Sequence, residues 1–390
     1  MRTVYRYALA VTGLALGVAL PSAAQEAPAQ QDVIDQLQAK SALTDEDRAK
    51  LREWVGQRVQ AIVAGDPSGS AEAVSQLRKR FTGTDGFKEA FAAVTAELIG
   101  SAYKQAKRDS AARLLAVLNT LNQVSSYKVL IEALGDKRVP VRSAAAIGLR
   151  RLQDNLARAG GDALSESITA LREAGKRETS PVALQLIYRA MDYTGVKVNP
   201  PDPKAGALAL LELLEARGEQ YQAAAQEIVR QPDKPTANNV KAEGADRPGL
   251  ELAGKLIGQM DEQGRQRLIV ACAKMLHYAV IRYTSELHKI EDKTSSPLQI
   301  ALRDRMELFI MTAEELLAKL TPFPKVEGVK TIAAEMQEQE QDKKAVYMKI
   351  AMNAWADVLQ ERFQFDLHIK GTEPEPEQGD LGDEEEAPEP

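Results

Sequence analysis

One cysteine and three histidines in 390 residues leave little material for thiol or transition-metal chemistry. The lone Cys272 excludes an intrachain disulfide, and its place in the apolar run LIVACAKML marks it as a small core residue. His277 and His288 stand eleven positions apart on one expected helix, about 16 Å of rise and too far for both to hold one ion. His288 and Asp292, at i and i+4, lack a third ligand without help from another helix. His368 stands alone near the end of the chain. No HExxH, CxxC, GxSxG or phosphate-cradling glycine loop occurs. No catalytic residue, cofactor or metal site is therefore expected. Met348 and Met352 fall one turn apart, a spacing open to a copper(I) thioether pair, but both fit apolar stripes where Met fills helix–helix gaps.

A membrane-spanning run is missing too. Ala8 to Leu20 is apolar except for Thr12, and its 13 residues fall short of the ~20 that cross a bilayer. With Arg2 and Arg6 before it and Ser22-Ala23-Ala24 after it, residues 1–24 read as a cleaved signal peptide. The expectation is export to a periplasmic or extracellular compartment, with no transmembrane segment in the mature chain.

Strong charge of one sign is absent from the body. The formal charge of -6 comes largely from residues 371–390, which carry nine acids and no base. Residues 25–200 hold 25 basic and 21 acidic residues, and 201–370 hold 23 and 26. That mild imbalance does not fit nucleic-acid binding, which shows a clustered basic face and a high pI. The densest basic spots are Arg78, Lys79 and Arg80, and Lys104, Lys107 and Arg108; they are the candidate contacts for an anion or a partner. The segment 371–390 has four Pro, three Gly and almost no apolar residue, and is expected to be disordered.

What the sequence does contain is helical periodicity, organised around Ser125 to Leu152. Tyr127, Leu130, Ile131 and Leu134 stripe one short helix, and Gly135-Asp136 is expected to end it with a left-handed cap. Pro140 suits a first helical turn, and Val141, Ala145, Leu149 and Leu152 stripe a second helix. The hairpin, with Asp136 in its turn followed by Val141 and Arg142, resembles a HEAT repeat. The resemblance implies that Asp136 and Arg142 knit adjacent turns and that neighbours stack on the hairpin, since one unit cannot bury its own apolar face. The form recurs at a HEAT-like period: Pro140 to Pro181 is 41 residues, Gly135 to Gly175 is 40, and Gly175 to Gly218 is 43. In this register Gly218 turns a third hairpin, between Leu210–Leu214 and Tyr221–Ile228.

Residues 25–43 read as a flexible polar lead-in with at most a short helix near Val33–Leu37. Thr44 with Asp47 three residues on is an N-terminal helix signal, and Leu51, Trp54, Val55 and Val59 are the inward residues of the helix it opens. Residues 44–230 are then the HEAT-like array. Gln231 to Gly249, with three Pro and no apolar periodicity, reads as a linker. Residues 250–370 read as an antiparallel bundle of longer helices, about 250–260, 262–290, 297–320 and 326–365. The fold class is all-α. The leading functional expectation is a non-enzymatic scaffold or adaptor that binds another protein in a helical-repeat groove. Two alternatives stand beside it: an enzyme with a pocket between the halves, and a polyanion or cell-envelope binder using the basic first half.

Overall fold

A computed structural model describes residues 28–196, 203–231, 240–338 and 340–370. The expected signal peptide, the segment 371–390 and positions 232–239 of the expected linker lie outside the described residues. Within them the chain is all-α, with fifteen α-helices and no strand. In order these are α1 (Pro28–Gln38), α2 (Asp45–Ala64), α3 (Pro67–Lys79), α4 (Asp85–Ala102), α5 (Arg108–Leu121), α6 (Tyr127–Ala133), α7 (Val139–Ala159) and α8 (Gly161–Arg177). There follow α9 (Pro181–Met191), α10 (Pro203–Arg230), α11 (Arg247–Leu256), α12 (Glu262–Ser285), α13 (Pro297–Leu320), α14 (Ile332–Glu335) and α15 (Gln341–Phe363).

The helices stack in two layers. In one, α3, α5, α7, α9, α11 and α13 each pack on the next; in the other, α2, α4, α6, α8, α10, α12 and α15 do the same. Hairpin partners such as α6 with α7, α8 with α9 and α12 with α13 join the layers. The inward stripes supply one continuous core, from Ile34 through Leu149 and Leu213 to Trp355. Four consecutive helices of the first layer, α7, α9, α11 and α13, begin with Pro at the first or second position, where its missing N–H costs no hydrogen bond.

Local chemistry sets several boundaries as expected. Thr44 caps α2: its hydroxyl accepts from the Asp47 N–H at 3.2 Å, and the Asp47 carboxylate accepts from the Thr44 N–H at 3.1 Å. Ser296 and Gln299 make the same reciprocal pair at the head of α13. Cys272 is fully buried, and desolvation raises its thiol pKa to about 12. Met348 and Met352 are likewise fully buried.

Elsewhere the packing departs from the expectations. The lead-in carries an anchored helix, because Ile34 and Leu37 are buried and the Gln38 amide donates to the Arg80 carbonyl at 2.9 Å. Gly135 does not take the left-handed cap. Instead α6 tightens at its end through short-range bonds, Gly135 N–H to Glu132 O at 3.0 Å and Asp136 N–H to Ala133 O at 3.2 Å. The third expected hairpin is a single helix, α10, running through Gly218. A Cβ at Gly218 would stand 3.1 Å from the Ala271 carbonyl oxygen, so this glycine permits close approach to α12 rather than a turn. The expected helix 262–290 ends at Ser285, and 326–365 is divided into α14 and α15. Nor does the described part of the linker separate two packings. Residues 242–246 are buried, and α10 and α12 on either side share the most extensive helix–helix contact among the described residues.

The Asp136–Val141–Arg142 signature ties turns together through different partners from those expected. Val141 is fully buried. The Asp136 carboxylate holds Arg138, accepting from Nε at 2.8 Å and from Nη2 at 2.7 Å. Arg138 in turn reaches back to the preceding turn, donating to the carbonyls of Ala106 at 2.6 Å and Tyr103 at 3.1 Å. Arg142 donates to the Asp136 backbone carbonyl at 2.9 Å and forks onto the Glu178 carboxylate of the next turn, both bonds at 2.7 Å. Burial pushes the Glu178 pKa up, but Arg142 and the N–H groups of Ser180 and Thr179 outweigh it and leave the carboxyl below its ordinary value.

Candidate functional site

A sealed polar node sits where α9, α10 and the 240–246 turn meet. Arg217, Asp246, Tyr188 and Tyr221 are all at most 1% exposed. Asp246 Oδ1 accepts from Arg217 Nε at 2.9 Å and from the Tyr188 hydroxyl at 2.6 Å. Oδ2 accepts from Arg217 Nη2 at 2.8 Å and from the Tyr221 hydroxyl at 2.6 Å. Every acceptor position of the carboxylate is thereby used, the condition under which a buried ion pair is tolerated. Desolvation, reinforced by the Asp246 charge, raises both tyrosine pKa values well above 10, so both hydroxyls stay protonated donors. Beside this node the Tyr278 hydroxyl donates to Glu243 at 2.7 Å, and the Tyr221 ring stacks on Phe309 of α13 at 5.6 Å. With its partners complete and no solvent contact, the node is a brace for the 240–246 turn.

The outer side of that turn lines an open groove of about 850 Å³ across α9, α11 and α13. Gly244 links the two. Its N–H donates to the Tyr221 hydroxyl at 3.0 Å, and its φ of 68° is one that side chains disfavour. A Cβ there would come within 3.2 Å of Arg305 Cγ, so the bare glycine seats the Arg305 stem. Arg305 Nε is buried and has no hydrogen-bond partner. Arg303 is matched by Asp292 at 2.8 Å and Asp304 at 2.7 Å, and Arg247 by Glu251 at 2.8 Å. Arg189 has no carboxylate partner among the described residues. It also lines an adjoining cavity of about 290 Å³ that holds Arg150 and Arg151 of α7.

Apolar residues interleave with these arginines at helical spacing. Val182 shares the face of Gln185 and Arg189, and it is 62% exposed. Leu308 and Met311 share the face of Ile300 and Asp304, with exposures of 46% and 43%. Ile147 precedes Arg150 by three positions on α7. The groove lining contains no cysteine, histidine, serine or tyrosine. Chemically, it can present guanidinium donors and apolar contact to a bound chain.

The sequence-selected basic residues lie elsewhere. Arg80 pairs with Asp35, and Lys104 with Glu132 at 2.5 Å. Arg78 and Lys79 occupy the exposed last turn of α3, where positive charge complements the helix dipole. Lys107 and Arg108 are exposed at the head of α5. None of the six lines the groove, whose arginines Arg189, Arg247, Arg303 and Arg305 come from three separate helices.

Two groups with perturbed acidity also lie apart from it. Desolvation raises the Glu314 pKa, as in many catalytic acids, but its oxygens accept from the Ile332 and Ala333 N–H groups at 2.8 Å and from Trp355 Nε1 at 3.2 Å. That geometry caps α14. His277 is buried with neither ring nitrogen hydrogen-bonded, and desolvation lowers its pKa to about 4. His288 lies in a short 3-10 turn beyond α12, its Nδ1 3.2 Å from the Tyr283 carbonyl oxygen. His368 stands between Asp357 and Asp366, at 2.9 and 2.6 Å.

Among the described residues no group of three or more potential ligands is placed to hold a metal ion, and no helix is long and apolar enough to cross a membrane. The chain matches no protein-family model, and no curated protein matches its sequence.

Proposed function

We propose that this chain is an exported, non-enzymatic scaffold or adaptor, a HEAT-like array of helical hairpins that binds another protein along the groove of α9, α11 and α13 and the adjoining cavity at α7. The observation that carries the reading is the strip of exposed apolar side chains and arginines laid across stacked, rigid helices. Arg and large apolar groups are the residues enriched where proteins meet. The two-layer stacking supports the array, and the burial of residues 242–246 favours extending it past residue 249. Export rests on the character of residues 1–24 alone. A photo-crosslinking residue in place of Leu308, compared with one in place of Val346 on α15, tests the binding face. Exposed to native envelope extract, the Leu308 position is expected to give a discrete protein adduct that the Val346 position does not. Equal labelling from both positions, or none from either, counts against the groove.

A further inference from the structure

We infer that the groove takes an extended acidic segment of its partner, with carboxylates landing on Arg305 and Arg189 and apolar residues on Leu308 and Val182. The inference rests on the reading of this groove as a protein-binding surface and adds the chemistry of what it binds.

Charge complementarity selects the ligand. Arg303 and Arg247 are already matched by carboxylates of the groove, whereas Arg189 and Arg305 are not. In the adjoining cavity Asp192 is held by Lys255 at 3.2 Å, which leaves Asp154 as the one carboxylate facing Arg150 and Arg151. The surplus along the strip is guanidinium, and a guanidinium fork matches a carboxylate with two parallel N–H donors. Arg305 is the anchor: Gly244 and the node behind it fix its stem, so little side-chain freedom remains to be lost on binding. Four helices stacked about 10 Å apart give a strip about 30 Å long, room for roughly nine residues of extended chain. The apolar residues between the arginines distinguish such a segment from a plain polyanion, which would have no use for Leu308 or Val182.

Fluorescence anisotropy on the full chain tests this. The probe is a labelled peptide of about nine residues alternating Glu with Leu, set against the same peptide with Gln for Glu. The Glu peptide is expected to bind about tenfold or more tightly than the Gln peptide, the increment of a charge-assisted hydrogen bond. Arg305→Gln and Arg189→Gln are each expected to remove several-fold of that preference, and Arg78→Gln none. Arg189 is exposed, so its variant folds whatever becomes of Arg305→Gln, and Arg305→Lys keeps the stem and the charge but loses the fork. Leu308→Ser is expected to weaken both peptides alike.

Equal binding of the two peptides, with both lost in Leu308→Ser, overturns the acidic chemistry and leaves the groove as a binding surface. Binding of neither peptide, together with no crosslink from Leu308, overturns both readings. Inorganic polyphosphate that binds more tightly than the Glu peptide and is indifferent to Leu308→Ser overturns the inference in favour of a polyanion.

Discussion

Two turns of this molecule meet the same need with the same pairing of arginine and carboxylate, one near solvent and one sealed from it. Between α6 and α7, the Asp136–Arg138 and Arg142–Glu178 pairs knit three successive turns at the edge of the stack. Between α10 and α11, Arg217 and Asp246 tie one turn to the core with no solvent contact at all. In both cases an acid precedes a helix that opens with proline, and an arginine grips it. The Arg138, Asp136 and Arg142 side chains are 23%, 13% and 14% exposed, against 1% and 0% for Arg217 and Asp246, and at the edge only Glu178, at 1%, is as dry as the node. Partial exposure lets water and mobile side chains take up a lost partner. A dry site offers neither, so the sealed turn is the more brittle of the two.

The largest expected effect follows from that difference. Asp246→Ala leaves the Arg217 charge and two tyrosine hydroxyls buried without their acceptor, a loss of about 3–5 kcal/mol. Replacing the whole node with apolar groups of similar shape, Arg217→Met, Asp246→Leu, Tyr188→Phe and Tyr221→Phe, is expected to recover much of it, because no charge or hydroxyl is then left unpaired and, of the backbone, only the Gly244 N–H and the Lys241 carbonyl lose a partner. Denaturant melts of the single and the combined variant decide the matter. A combined variant no more stable than Asp246→Ala would mean that the node supplies net attraction beyond mutual satisfaction.

His277 sharpens the same comparison, being buried with no partner at all. Its folded pKa, lowered to about 4, lies below the ordinary 6.5. Between those values the unfolded chain binds a proton that the folded chain refuses, so stability falls as pH drops from about 6.5 to 4. The full shift corresponds to roughly 3 kcal/mol. His368 and Glu314, both raised, act in the opposite direction, losing their contributions as pH rises through their folded values. Comparing the wild type with His277→Leu across this window cancels them. The expected result is a stability difference that grows steadily toward pH 4; parallel curves would place the imidazole in contact with water.

How far the sequence disclosed all this depends on range. Signals confined to one turn were legible: Thr44 with Asp47, Pro at the head of α7, α9 and α13, and the apolar stripes. Glycine was ambiguous, since Gly218 fits a turn and a close helix crossing equally well until the neighbouring Ala271 is known. Asp246 was hidden for a different reason. It lies in a polar, proline-rich string, and the residues that bury it, Tyr188, Arg217 and Tyr221, are 58, 29 and 25 positions away. The groove was less legible still, because its arginines are scattered over three helices, while the conspicuous Arg78-Lys79-Arg80 run fans out around the end of one. The available clue was periodic: Val182, Gln185 and Arg189 recur on one helical face with an exposed apolar residue among polar ones.

The smallest effect belongs to the ties at the edge of the stack. Arg142→Ala removes the fork on Glu178 and bonds to the Asp136 and Lys137 carbonyls, and leaves Glu178 with only the Thr179 and Ser180 N–H donors. Hydrogen bonds to charged groups contribute about 1.5–3 kcal/mol; Glu178 is left buried but keeps two N–H donors, so the loss is expected within that range and below that of Asp246→Ala. An arginine of the same region such as Arg172 on α8 would not serve as a control for this loss, since it makes a tie of its own to Glu212 of α10 at 2.5 Å. Arg78, exposed and carrying no tie between turns, is the better one, with an expected loss under about 0.5 kcal/mol. Acid offers an independent check, because Glu178 titrates below its ordinary value while paired. Its contribution is present above the unfolded pKa and is lost as pH falls through the lower folded one. Without Arg142, burial is left as the largest influence on Glu178 and pushes its pKa upward. Arg142→Ala should therefore differ most from the wild type near neutral pH and converge with it in acid. A difference that stays constant down to pH 3 would assign the stabilisation to the backbone carbonyl bonds of Arg142 and not to Glu178.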